Sequence, residues 1–516
     1  MSRGRRIGVA EAVIGRVGTA TTGCILLVSA LSGCVGGGEP RGSAREGGTL
    51  SVATGSAPKV LDPALAGEAA DADPLWLVYT PPLTYRRATG PEGGDLVPGV
   101  AARLPTVSED GRAYSFRVRR GLTYSNGTQV TARDVRHSII RARRVGAVGR
   151  RLFAGVTAVA ANDRTREVRI TLTRPDPDFP HSLAATQAGV LPAKTPMRDV
   201  SGKPPPGVGP YRIGRVRRGR RVVLLRNRGF RLPGVPGGLV DALIFRQDGT
   251  PADQVEAVMA GQLDVMIDSP PPGRLPELRS EQSDRYFEYA DLSTRYLLVD
   301  ADRIPFSDPD LREAIALAID KPEAARLLVG LVTPSCNLLP PAWEPPDDSC
   351  PWGDPEEHPD LVHARELVDE SGAEGEPVLV HGTRADRPVT RMYVRTLRKI
   401  GLRARVARGR RADVTLATAT SLVPDARSFL VPIARRVPLF VDPEAQLLAD
   451  ELQHSTDPDR AAQLAEQLDR QLASGGVVVP YAAPSRTAFL SARIDVDNCL
   501  LLHPVYGVDF AGLCLR

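Results

Sequence analysis

Apolar and polar residues alternate most clearly where Tyr114, Phe116 and Val118 are separated by Ser115, Arg117 and Arg119. A period of two predicts a half-buried strand. Glu109-Asp110-Gly111 precedes it as a turn, because glycine supplies the positive φ that such a turn needs. Gly121 ends it, and Ser125-Asn126-Gly127 forms a second tight turn. Thr131 then offers a hydroxyl for a helix N-cap, with Asp134 in the first turn, where the helix dipole favours a carboxylate. Residues 109–137 therefore read as strand, turn, strand, helix.

The same reading extends in both directions. Thr49–Ala53, Val168–Leu172, Val222–Arg226 and Val240–Phe245 are expected strands, and Asp253–Ala260 a helix. Pro309–Ile319 is a helix with Leu311, Ile315 and Ala318 on one face. Leu361–Val368 is helical, and Pro377–His381, Val389–Ile400 and Ala404–Val406 read strand, helix, strand. Asp413–Leu422 is a strand that runs into the loop Val423-Pro424-Asp425-Ala426. Helices Pro443–His454 and Pro458–Ala473 follow, capped by Asp442 and Asp457, and then a strand, Val477–Pro480. Strands alternating with helices predict an α/β architecture. A chain of 516 residues exceeds the size at which one core stops growing, so about two to four lobes are expected.

The first 34 residues follow a different pattern. Arg3, Arg5, Arg6 and Arg16 precede an apolar run through Ile25-Leu26-Leu27-Val28, and Leu31-Ser32-Gly33-Cys34 closes it. Charge, apolar core and small residues in that order predict a secretory signal, and the run is too short to span a bilayer. Leu-Ser-Gly-Cys matches the bacterial lipobox. Cys34 is therefore expected to carry a lipid and to become the mature N-terminus, with Gly36-Gly37-Gly38-Glu39-Pro40 as a tether behind it.

This segment also changes the charge. Residues 1–33 hold four Arg and one Glu, so the remainder carries 62 basic against 60 acidic residues, a net of +2 rather than +5. That balance argues against a nucleic-acid partner. The arginine clusters Arg217-Arg218-Arg220-Arg221 and Arg408-Arg410-Arg411 read as solvated faces. Four cysteines remain beyond Cys34, and export places them in oxidising conditions with three pairings open. The sequence-near pairs Cys336–Cys350 and Cys499–Cys514 are expected. A zinc site is disfavoured, since no C-x-x-C occurs and His358 and His363 lack compact ligand spacing. No G-x-S-x-G or H-E-x-x-H frame is present and the seven histidines are scattered, so neither an enzyme nor a bound cofactor or metal is expected. Gly207-Val208-Gly209 lacks the frame of a nucleotide loop.

The wording of 109–137 resembles the signature segment of family 5 extracellular solute-binding proteins, the peptide- and nickel-type receptors of ABC importers. Further matches occur in order along the chain: Leu61-Asp62-Pro63, Leu75–Tyr85, Asp95–Pro105, Pro175–Phe179, Gly207–Tyr211, Arg226-Asn227 and Gly261–Val265. They continue through Arg295–Asp300, Pro305–Asp308 with its helix, and Ser371-Gly372. The resemblance implies a type II two-lobed periplasmic-binding-protein fold with a subdomain inserted in the first lobe. It divides the chain into signal 1–33, tether 34–46, lobe I from 47–85 and 203–297 with the subdomain 86–202 between them, lobe II 298–483, and a return to lobe I at 484–516.

It also implies a lipid-anchored monomer on the extracytoplasmic face of the membrane. Such a receptor encloses a solute, most naturally a short peptide, and delivers it to an ABC permease and its ATPase. Nickel is a minor variant. A cell-envelope lipoprotein that uses the fold for protein–protein regulation is the alternative. Two departures favour it: Thr80 stands where relatives carry Glu, and the strand from Asp413 lacks their Trp. Asp425 is the carboxylate that corresponds to the family's anchor for a peptide amino terminus, and it also reads as an ordinary turn aspartate. Arg295 and Tyr296 are further candidate ligand contacts.

Overall fold

A computed structural model describes residues 46–55, 58–67, 74–343, 350–409, 411–421 and 423–516. The expected signal, the lipidation site Cys34 and the tether up to residue 45 lie outside the described residues, as does Arg410.

One continuous mixed sheet forms the spine. Its strands in chain order are β1 (Thr49–Thr54), β2 (Tyr211–Arg217), β3 (Arg221–Arg226), β4 (Ala242–Gln247), β5 (Val265–Met266) and β6 (Tyr286–Ala290). They continue with β7 (Ser293–Val299), β8 (Val332–Pro334), β9 (Pro377–His381), β10 (Arg403–Val406), β11 (Val414–Thr420) and β12 (Val478–Leu490). The spatial order is β10-β9-β11-β7-β12-β5-β1-β4-β3-β2, with β6 and β8 also paired to β12. β1 runs parallel to β4 and β5, which sets Val52 opposite both Phe245 and Val265. Leu50, Val52 and Ala53 are fully buried, as expected of a strand covered on both faces.

The chain passes between the two halves of this sheet twice. β6 pairs only with the C-terminal half of β12, from Ser485 to Phe489, whereas β7 pairs with its N-terminal half and with β11. The middle of β12, Pro484-Ser485-Arg486, is only half-buried while residues on both sides are buried. Separate cores flank it. One cluster joins Leu50, Val52, Tyr114, Phe116, Val135, Phe245 and Phe510. In the other half, alternation along β7 sends Leu297 and Val299 to a cluster with Ile315 and Tyr393, and Tyr296 to a cluster with Leu338, Phe429 and Leu468. The molecule is thus two α/β lobes joined by crossing strands.

A second, four-stranded antiparallel sheet, Thr106–Val107, Ala113–Arg117, Glu167–Leu172 and Val156–Asn162, lies in the first lobe. The expected alternation holds: Tyr114 and Phe116 are buried and Arg117 is exposed. Helix α1 (Ala132–Val145) packs on this sheet. Thr131 and Asp134 close a reciprocal capping box at its start, and Asp134 also accepts from the Ala193 amide at 2.7 Å.

Arg141 of α1 is fully buried and pairs with the equally buried Asp62. Both guanidinium–carboxylate bonds are 2.6 Å. Asp62 also accepts from the amides of Ala64 and Val200. The "LDP" turn is thereby bolted to the subdomain helix.

Most helix starts expected from the sequence are present with their aspartate caps, including Asp308, Asp442 and Asp457. Three outcomes differ. The second strand read in 109–137 is reduced to a single antiparallel bridge between Thr123 and Gln129. The strand expected from Val240 starts at Ala242 and runs to Gln247, in parallel register with β1. The expected loop after β11 is cut short, because Asp425 caps a helix, α2 (Ala426–Ala434). That helix buries Phe429, Leu430, Val431, Ile433 and Ala434, so its apolar run shows no helical period in the sequence.

Cys336 is bonded to Cys350 and Cys499 to Cys514. Among the described residues, one group has metal-ligand spacing, Asp495, Cys499 and Cys514, and both of its sulfurs are used in the disulfide. Changing Cys336 and Cys350 together to Ser is expected to lower stability by about 2–4 kcal/mol while leaving the other bond intact. Denaturation of the variant, with peptide mapping under non-reducing conditions, checks both points.

Candidate ligand site between the lobes

A cavity of about 350 Å³ lies where the lobes face each other. Pro91, Gly94, Asp95, Leu96 and His181 border it from the first lobe, and Leu339, Trp343, Pro424 and Ala426 from the second. Its lining mixes apolar surface with a few polar groups, the usual make-up of a ligand cleft.

The second-lobe wall is built by two segments. The disulfide ties back the loop after Cys336, and the amides of Leu338 and Leu339 donate to the Asp469 carboxylate at 2.8 and 3.2 Å. This fixes the approach to Trp343, whose ring meets Phe429 edge-on at 5.2 Å. The Trp343 indole N–H is buried and has no acceptor among the described residues. The other segment is the start of α2. Asp425 accepts from the Ser428 amide at 2.7 Å, so one carboxylate oxygen serves as helix cap.

On the first-lobe side, the segment Pro175–Phe179 leads into His181, which borders the cavity. Tyr114, from the signature strand, donates to the Asp176 carbonyl at 2.7 Å, and its ring packs on Phe179. The most recognisable part of the sequence thus positions Asp178. The Asp178 carboxyl reaches hydrogen-bonding range of Asp425. Arg427 Nη1 stands 2.9 Å from Asp178 Oδ1, in a geometry that makes an ion pair without a hydrogen bond, and its Nε has no acceptor among the described residues. Burial, then the neighbouring Asp425, pushes the Asp178 carboxyl up to about 8, against the pull of Arg427. Burial also raises Asp176. His181 beside them bonds the Tyr85 hydroxyl through Nδ1 at 3.2 Å, and burial holds its imidazole below the usual range.

The sequence candidates are placed unevenly. Asp425 lies between Pro424 and Ala426, which border the cavity, but does not itself line it. Arg295 and Tyr296 lie on opposite faces of β7 and do not border the cavity. Arg295 forms an ion pair with Asp386 inside the second lobe, and Tyr296 is buried in the cluster under α2. Thr80 is buried within the first lobe, its amide and carbonyl bonded to Val208 and Val190. Asp178, His181, Arg427 and Trp343 were not singled out by sequence reasoning. Two aspartates between prolines at 175–178 were the only local sign of the first.

Two α/β lobes on crossing strands, with a mixed apolar and charged cavity between them, define a two-lobed binding protein. The model of bacterial extracellular solute-binding proteins, family 5 (middle), matches residues 95–428, and the chain belongs to that family, which is one of solute-binding proteins and not of enzymes. The chain is 27% identical over 278 residues to the glutathione-binding protein GsiB of Escherichia coli (strain K12), a match covering 53% of this chain and 52% of that protein. It is 25% identical over 283 residues to the probable D,D-dipeptide-binding periplasmic protein DdpA of the same strain, covering 52% of this chain and 53% of that one. The match thus spans about half the length of these curated relatives. Among solved structures, clavulanic acid biosynthesis oligopeptide binding protein 2 superposes with a TM-score of 0.82 at 22% identity, covering 92% of this chain and 96% of that one. The unliganded open form of the murein tripeptide binding protein MppA gives a TM-score of 0.75 at 16% identity, covering 92% and 99%.

Proposed function

We propose that this chain is the lipid-anchored, extracytoplasmic substrate-binding protein of an ABC importer, and that it captures short peptides by their amino end in the inter-lobe cleft. The observation that carries this reading is Asp425, a carboxylate whose cap bond uses one oxygen, placed beside a cavity large enough for a few residues. On the same second-lobe wall Trp343 borders the cavity, with an indole N–H that has no acceptor among the described residues. Names of similar proteins that mention glutathione, dipeptides and oligopeptides point to the same ligand class. Closure would turn about Asp291-Leu292 and the half-buried centre of β12, so that lobe II would begin with β7 at Ser293 and not at residue 298. A ligand shifts this equilibrium only by binding the closed form more tightly.

Native mass spectrometry of protein purified from its host tests the reading. Bound masses of short peptides are expected; a non-peptide solute, or none at all, would contradict it. The anchor has its own test. Cys34→Ala is expected to leave a folded protein in the soluble fraction, because the acyl chains are the membrane attachment in this reading and stable anchoring needs more than one of them. Recovery of the variant in washed membranes would refute it.

A further inference from the structure

Positive charge is concentrated in one stretch of the first lobe. Residues 200–240 hold nine arginines and one lysine with no Asp or Glu, a local charge of +10. Since residues 34–516 carry +2 in all, everything outside this stretch carries −8. The fold then gathers the charge on one surface. β2 and β3 are neighbours at the edge of the large sheet, and all six arginines between 212 and 221 are exposed. Antiparallel register sets Arg217 opposite Arg221, and Arg221 opposite Arg246 of β4. Opposed residues share a face, and neighbouring strands lie about 4.8 Å apart, so three guanidinium groups cross the sheet side by side. Like charges placed in this way destabilise a sheet. Among the described residues Arg246 is the one of the three with a carboxylate partner, Asp248. Arg226 and Arg228 pair with Glu46 and Asp241, but none of the six exposed arginines forms an ion pair among the described residues. Arg212, opposite Leu225, marks the other end of the same face. Half-buried Val223, Leu225 and Ile244 lie between the two ends.

The described chain enters beside this face. Glu46 pairs with Arg226 at 3.0 Å, and Thr49, Ala242, Leu225 and Arg212 form one row across four strands. Glu46 is twelve residues after Cys34. A flexible segment of that length spans about 20 Å on average and at most about 40 Å. A lipid on Cys34 would therefore keep the entry point within that reach of the bilayer.

We propose that the arginine face of the β2–β3 hairpin rests on anionic lipid headgroups, as a second, electrostatic attachment beside the acyl chains. This rests on the lipid-anchored reading above. Anionic headgroups supply the countercharge that the Arg217, Arg221 and Arg246 row lacks within the molecule, and the apolar residues between its ends meet the interfacial layer. Guarding a sheet edge takes one or two charges on the edge strand. It does not account for Arg221 and Arg246 on the inner strands, nor for ten cations without one acid. The receptor would then be held by its first lobe, leaving the second lobe to move.

The full-length Cys34→Ala protein, which lacks the acyl chains, isolates this face. It is expected to sediment with vesicles of mixed phosphatidylglycerol and phosphatidylcholine, and not with phosphatidylcholine alone. Salt of about 1 M, where the Debye length is about 3 Å, should abolish the binding. Each arginine near an anionic surface contributes about fivefold, so Arg212→Gln, Arg217→Gln and Arg221→Gln together should weaken binding on the order of a hundredfold. The triple variant should unfold at the same temperature as its parent or higher, because the opposition of Arg217 and Arg221 is relieved. Equal binding to both kinds of vesicle, binding to neither, or a triple variant within twofold of its parent would overturn the proposal. The hairpin would then be a solvated face or a seat for an acidic protein. The anchor is judged separately. Because the arginine contact is labile to salt, a salt wash still frees Cys34→Ala from membranes, and its recovery there would count against the anchor alone.

Discussion

Asp62→Ala is expected to destabilise the first lobe by about 3–5 kcal/mol, because it leaves the Arg141 guanidinium buried and unpaired. Arg141 is fully buried and makes two 2.6 Å bonds to Asp62. Its remaining contacts are to the carbonyls of Pro196 and Arg198, and these accept hydrogen bonds but do not neutralise charge. The amides of Ala64 and Val200 would lose their acceptor as well. Replacing the pair together, Asp62→Leu with Arg141→Met, removes both charges and is expected to cost much less than Asp62→Ala alone. Thermal unfolding distinguishes the cases: the single variant should lower the first-lobe transition by several degrees. A single variant that unfolds within a degree of wild type would show that the pair does not hold the turn to the subdomain.

The second large effect falls on binding. Asp425 caps α2 and, in the proposed function, also meets the ligand, and a substitution can separate the two tasks. Asparagine is as good a cap as aspartate but carries no charge. Asp425→Asn is therefore expected to keep stability within about 0.5 kcal/mol. Its affinity for free-amine peptides should fall roughly thirtyfold to several-thousandfold, the cost of about 2–5 kcal/mol for a desolvated charge left without its partner. Asp425→Ala should lose the same affinity and about 1 kcal/mol of helix capping besides. Calorimetry and denaturation of the two variants, side by side, provide the check. An asparagine variant that binds as wild type does would reduce Asp425 to a helix cap.

The fold was legible because its signals are local. The alternation at Tyr114, Phe116 and Val118, the capping box at Thr131 and Asp134, and the aspartate caps of the later helices each depend on residues a few positions apart. Asp425 was legible through resemblance alone, and α2 behind it was hidden by a run buried on nearly every side. The partners of Asp425 could not be read at all. Asp178 lies 247 positions away, and the two meet only because Tyr114 holds one segment while α2 aims the other. Arg295 shows the converse: a charged residue in a recognisable strand whose charge is taken up by Asp386. Trp343 was obscured in the same way. The strand from Asp413 lacks the tryptophan of the family pattern, and an indole borders the cavity from the segment after Cys336 instead.

In the proposed function the cleft captures a solute by a cationic end. Titrating the wild-type protein with matched short peptides, one series with a free amino terminus and the other N-acetylated, tests it most directly. Saturable binding of the free series, with at least a thirtyfold loss on acetylation, is the expected result. Equal affinity for the two series, or no binding of either, would contradict it.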